Sequence, residues 1–155
     1  MNSFFKTGLR RLCGILSILV LSASAYAEDI RIDEVWTHAP ASGRDYTNVF
    51  MFVTSNQDVA IVGASSPAAG AVELRSMIHK RGMMKTITLE NIPLPAGKRV
   101  DMTSIHGYHL TLTGLKAPLK PGTDVPLTLE LETADKLRFK ADIKAEVRPL
   151  KSTAR

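Results

Sequence analysis

From Ile30 to Val147 the chain is a succession of short β-branched runs cut by Pro, Gly and Asn/Asp, and few stretches hold an amphipathic helical period. Such a pattern leaves little room for anything but a sheet protein. The runs predict strands at Ile30–Trp36, Asn48–Thr54, Ala60–Gly63, Ala71–His79, Lys85–Leu89, Arg99–Met102, Tyr108–Leu115, Val125–Glu132 and Lys136–Val147. Between them stand turn signals: Ser65-Ser66-Pro67, Pro95-Ala96-Gly97, Lys120-Pro121-Gly122 and Thr133-Ala134-Asp135. Regularly spaced strands of this kind predict an all-β fold, an antiparallel β-sandwich or a Greek-key barrel. No repeat, linker or second domain is visible.

The first 27 residues read as a cleaved secretory signal. Lys6, Arg10 and Arg11 make a basic start, Leu12 to Leu21 an apolar stretch, and Ala25-Tyr26-Ala27 a small-x-small cleavage site. The apolar stretch is shorter than the ~20 residues needed to span a bilayer. Cys13, the only cysteine, leaves with this segment, and it precedes most of the apolar stretch, a poor position for a lipid anchor. The expected mature chain is one domain over residues 28–150, followed by a polar tail, residues 151–155. It has no thiol and no disulfide in an oxidising compartment. The signal carries three cations and no acid, so the net charge falls from +5 to +2. Lys and Arg form no cluster interleaved with aromatics, which argues against a nucleic-acid partner.

Strand parity sorts the side chains. In Ala71–His79, Val72, Leu74, Ser76 and Ile78 share a face that predicts core, and Glu73, Arg75, Met77 and His79 share the other. In Gly107–Leu115, Tyr108, Leu110 and Leu112 point one way, and His109, Thr111 and Thr113 the other. His109 is therefore expected on a polar face near the surface.

After the signal the chain holds four histidines (His38, His79, His106, His109) and five methionines (Met51, Met77, Met83, Met84, Met102). Thioether and imidazole without thiolate form a soft donor set suited to Cu(I). Met77, His79, Met83 and Met84 cluster around an expected turn at Lys80-Arg81-Gly82. Methionine is also a common gap-filler in cores, and Met51, among Val49, Phe50 and Phe52, reads that way. A lone surface histidine is usually just solvated, and His38 reads as loop. No serine sits in a nucleophile motif, and no glycine-rich phosphate loop follows a strand, so an enzyme is disfavoured.

Four segments carry a resemblance. They are Val35-Trp36 with Ala39-Pro40, then VGASSPAAGAVEL (Val62–Leu74), IPLPAGKRV (Ile92–Val100) and GYHLTLTGLKAPLKPGTDVPLTLELE (Gly107–Glu132). In order, and over nearly the whole mature chain, they resemble the PCu(A)C-type periplasmic copper chaperones. That resemblance implies a cupredoxin-like sandwich in the periplasm. It also implies a Cu(I) cargo passed to copper enzymes, notably cytochrome oxidase, or exchanged with another copper carrier. The family's ligands transfer only in part. Its His after V-E-L is here Arg75, and its Met eleven residues on is Thr86, with Met84 matching another Met often found just before it. Its His-x-Met is here His109 and Thr111, so only the histidine matches. An arginine about 4 Å from a metal ion repels each unit of its charge by roughly 4 kcal/mol at an effective dielectric near 20. Any copper site is thus expected to be displaced, built from His109, Met77, His79, Met83 and Met84. The alternatives are a metal-free sandwich that keeps a protein-partner surface and, more remotely, a periplasmic hydrolase whose residues lie far apart in sequence.

Overall fold

In a computed structural model, residues 29–150 are described. The expected signal, with Cys13, and the tail 151–155 lie outside them. Ten strands form: β1 (Ile30–His38), β2 (Thr47–Ser55), β3 (Val59–Ser65), β4 (Ala69–Lys80), β5 (Met83–Thr88), β6 (Ile92–Leu94), β7 (Arg99–Met102), β8 (His109–Leu115), β9 (Asp124–Thr133) and β10 (Arg138–Arg148). Among the described residues there is no α-helix, and so none long and apolar enough to cross a membrane. The all-β architecture expected from the pattern is what forms, in keeping with the cupredoxin-like sandwich that the resemblance implies.

The strands run β5-β4-β8-β2-β1-β10-β9-β3-β6, with β7 paired to β2 beyond the end of β8. Neighbours are antiparallel except β1 and β10, which are parallel, with Trp36 opposite Glu146. The sheet closes over one core. Val49, Met51, Leu74, Leu110 and Leu112 come from one half, and Ile61, Ile92, Leu94, Leu127, Leu129 and Leu131 from the other, in a single apolar cluster. The alternating in-out pattern of each strand thereby finds its partner face.

Three features of the sheet have local causes. Strand β6 lies in a segment that reads as a breaker because of Pro93. It forms at the end of the sheet, with Pro93 opposite Ala60, where a missing donor is tolerated. His38 is not in a loop: it closes β1 opposite Arg148, and its Nδ1 lies 3.2 Å from the Pro149 carbonyl. A bulge between Asp33 and Trp36, with Glu34 at φ 51°, turns Trp36 onto the outer face. There its ring packs on Phe50 at 4.4 Å.

The β4–β5 hairpin, which carries most of the candidate ligands, turns through two residues. Lys80 pairs with Met83, leaving Arg81 (φ 52°) and Gly82 (φ 79°) as the loop. Both angles positive define a type I′ turn, whose hand matches the strand twist. Arginine is a costly occupant of the first position, because its Cβ crowds the carbonyl in the left-handed region. Arg81→Asn is expected to raise unfolding stability by about 1 kcal/mol, measured by urea denaturation.

Candidate metal centre

The register of three strands sets the site. Across β4 and β8, Leu74 faces Leu110, Arg75 faces His109 and Glu73 faces Thr111. Across β4 and β5, Met77 faces Thr86, His79 faces Met84 and Lys80 faces Met83. Leu74, Leu110 and Leu112 are buried in the core, as parity predicts. Glu73, Arg75, Met77, His79, Met84, His109 and Thr111 therefore share the outer face, and Met83 falls on the opposite one beside Lys80.

The expectation that His109 lies near the surface is corrected. It is on the outer face, but only 3% exposed, and Thr111 only 2%. Parity assigns a face and cannot see what covers it. His109 Nδ1 lies 3.0 Å from the Gly107 carbonyl, which can only accept, so the proton sits on Nδ1 and the Nε2 lone pair is left for another partner. Burial pushes the imidazole below its ordinary 6.5. The Gly107 carbonyl works the other way, and the Arg75 charge lowers it further.

The positions that resemble the family's ligands are filled by a self-contained polar set. Arg75 is ion-paired with Glu73, its Nε donating to Oε2 at 2.7 Å. That pairing offsets the repulsion a bare guanidinium would exert on a cation. Thr111 Oγ1 donates to Asn48 Oδ1 at 2.8 Å. Thr86 is exposed at the outer strand β5.

Soft donors gather one step further along. His106 Nδ1 lies 3.3 Å from Met77 Sδ. The antiparallel register explains this: moving from Arg75 to Met77 on β4 means moving back from His109 toward the turn before β8. That turn is pinned by Ser104, whose Oγ accepts from the His106 N–H and whose carbonyl accepts from the Gly107 N–H. Met77 and His109 are diagonal neighbours on one face, a separation of roughly 7–8 Å that long side chains can bridge. His79, by contrast, lies four residues beyond Arg75, roughly 13 Å along the strand at ~3.3 Å per residue. His79 and Met84 are thus a separate pair at the exposed strand end. No three His, Cys, Asp or Glu side chains converge among the described residues, so any metal site here draws on thioether sulfur. Sequence reading left His106 out of the ligand set. Its one signal was the spacing of three from His109 across a turn.

Two outcomes follow for the metal-free protein. The fold favours neutral His109, so the unfolded chain takes up the proton first as pH falls. Stability is then lost as pH drops from 6.5 through the lower folded-state value. Between about pH 7.5 and about pH 5.5 the wild type should lose more stability than His109→Asn, which keeps a donor for Gly107; equal losses in thermal melts would refute this. Thr111→Val removes the donor to Asn48 Oδ1 with little change of shape, and a loss of about 1–2 kcal/mol is expected in chemical denaturation.

Comparison with known proteins places the chain. A family model described as "Putative lipoprotein LpqE-like" matches residues 30–143. A protein of Leifsonia xyli subsp. xyli named "Putative lipoprotein Lxx21020" is 29% identical over 104 residues, which are 66% of this chain and 62% of that protein. The match thus spans less than two thirds of that relative's length. Among solved structures, the copper-bound PCuAC domain from PmoF2 superposes with a TM-score of 0.62 at 23% identity, covering 79% of this chain and 94% of that one. The Cu(I) form of DR1885 from Deinococcus radiodurans gives 0.58 at 25%, covering 82% and 83%. With the family model spanning most of the sheet, the chain belongs to the LpqE-like family, and it shares its fold with PCuAC domains.

Proposed function

We propose that the protein is an extracytoplasmic, chaperone-like carrier of Cu(I), working in the periplasm and handing its ion to a copper enzyme such as cytochrome oxidase or to another copper carrier. One observation carries the reading: the contact of His106 Nδ1 with Met77 Sδ, on the sheet face that also carries His109. Imidazole and thioether are soft donors that prefer Cu(I) over harder cations. Copper is the cargo, held at the outer face of β4 and β8 and displaced from the positions of Arg75, Thr86 and Thr111. His79 and Met84 form a weaker outlying pair, and Met83 contributes nothing from the opposite face. The copper-bound state of the PmoF2 domain and the Cu(I) state of DR1885 support the cargo. The lipoprotein description of the family supports a place outside the cytoplasm. None of the relatives named above is described as an enzyme, which supports a carrier or binding role.

A second reading has its own observation. The Arg75–Glu73 ion pair and the Thr111–Asn48 hydrogen bond complete each other's needs without a metal. A metal-free binding module that keeps the fold and a partner surface would look like this.

Titration of the protein with Cu(I) against a competing chromophoric chelator separates the two. Met77→Leu and His106→Ala should each weaken affinity by about tenfold or more, or 1.4 kcal/mol. His79→Ala should weaken it less, and Met83→Leu should leave it unchanged. Should all four variants match the wild type, the metal-free module is the correct reading.

A further inference from the structure

The tip of the β4–β5 hairpin concentrates charge that nothing in the fold uses. Residues 74–89 include Arg75, Lys80, Arg81 and Lys85 and no acid. Arg75 is paired with Glu73, but Lys80, Arg81 and Lys85 enter none of the ion pairs among the described residues. Arg81 occupies the first place of a type I′ turn, where Asn or Gly fits without strain, so the cation is kept at the tip against the preference of the backbone. Met83 and Met84 are 69% and 54% exposed, although nearly every other large apolar side chain of the sheet is covered. Strand β5 is also the last strand at its end of the sheet, so its outer edge has no strand partner among the described residues.

We infer that this edge is a docking surface for an extended, acidic segment of a partner protein, added as a further strand alongside β5. Charge chooses the occupant. Lys80, Met83 and Lys85 share one face, and Met84 and Thr86 the other. A segment alternating acidic and apolar residues would set its carboxylates toward Lys80 and Lys85 and its apolar side chains toward Met84. A second copy is disfavoured, because pairing two β5 edges brings like charges together. Methionine suits such a surface, since its unbranched side chain adapts to varied partners. The proposal rests on charge and strand geometry and does not need the metal.

A fluorescein-labelled decapeptide of alternating Glu and Val tests it by anisotropy at low salt. Three probes stand beside it: an alternating Lys–Val peptide, a Glu–Val peptide N-methylated at alternate residues, and phosphatidylglycerol vesicles. The Glu–Val peptide should bind at least about tenfold more tightly than either other peptide. It should shift backbone amide resonances chiefly in residues 83–88. Lys80→Gln/Lys85→Gln should weaken it about tenfold. Arg81→Asn should also weaken it while raising the melting temperature, which rules out misfolding as the cause. Equal binding of the N-methylated peptide would overturn strand addition, and an unaffected lysine variant would overturn the charge argument. Lysine-dependent binding to vesicles without peptide binding would assign the tip to a membrane surface instead.

Discussion

Leu110 and Leu112 in β8 are fully buried, and Leu110 lies between Leu74 of β4 and Val49 of β2. That line of apolar side chains fixes β8 in register with both neighbours. A slip of one residue would turn His109 and Thr111 into the core and the leucines out of it. Exposing both leucines, at about 1.5–3 kcal/mol each, outweighs a typical outer-face hydrogen bond at about 0.5–1.5 kcal/mol. The outer face is therefore a consequence of the inner one. Arg75 meets His109, Glu73 meets Thr111, and the turn before β8 is carried back over Met77, because the leucines allow no other alignment.

Within that frame the electrostatics are local and balanced. A cation stands where the resemblance places a neutral ligand, yet Glu73 sits on the same face two residues away and neutralises it. His109 is held in one tautomer by a backbone carbonyl, and burial disfavours its charged form. Thr111 donates a hydrogen bond to Asn48 Oδ1. Arg75 and Thr111, two of the three departures from the family pattern, are thus each matched by a partner, and Met77 and His106 meet beside this set. At the hairpin tip Lys80, Arg81 and Lys85 stand in solvent with two exposed methionines.

Much of this was legible in the residues. The β-branched runs between Pro, Gly and Asn/Asp gave nine of the ten strands, and the parity of Ala71–His79 correctly separated Leu74 from Arg75 and Met77. Met51 was readable as core from its apolar neighbours, and it is fully buried. The turn at Lys80-Arg81-Gly82 showed in its glycine. Other features had no local signal. Pro93 hides an edge strand, because its lost donor matters only in the middle of a sheet. The bulge that turns Trp36 outward depends on how β1 fits against β2. The burial of His109 depends on cover from elsewhere in the chain.

The sequence by itself determined an all-β chain, the inward faces of the strands at Ala71–His79 and Gly107–Leu115, and the replacement of family-type ligands by Arg75, Thr86 and Thr111. These are properties of period, composition and identity, which local steric and solvation preferences settle along the chain. Only the tertiary structure decided which of the surviving donors meet. His106 and Met77 are 29 residues apart and touch, whereas Met83 and Met84 are adjacent and point to opposite faces. Proximity in a sheet is set by strand order and register, and those are fixed by burying the long-range core.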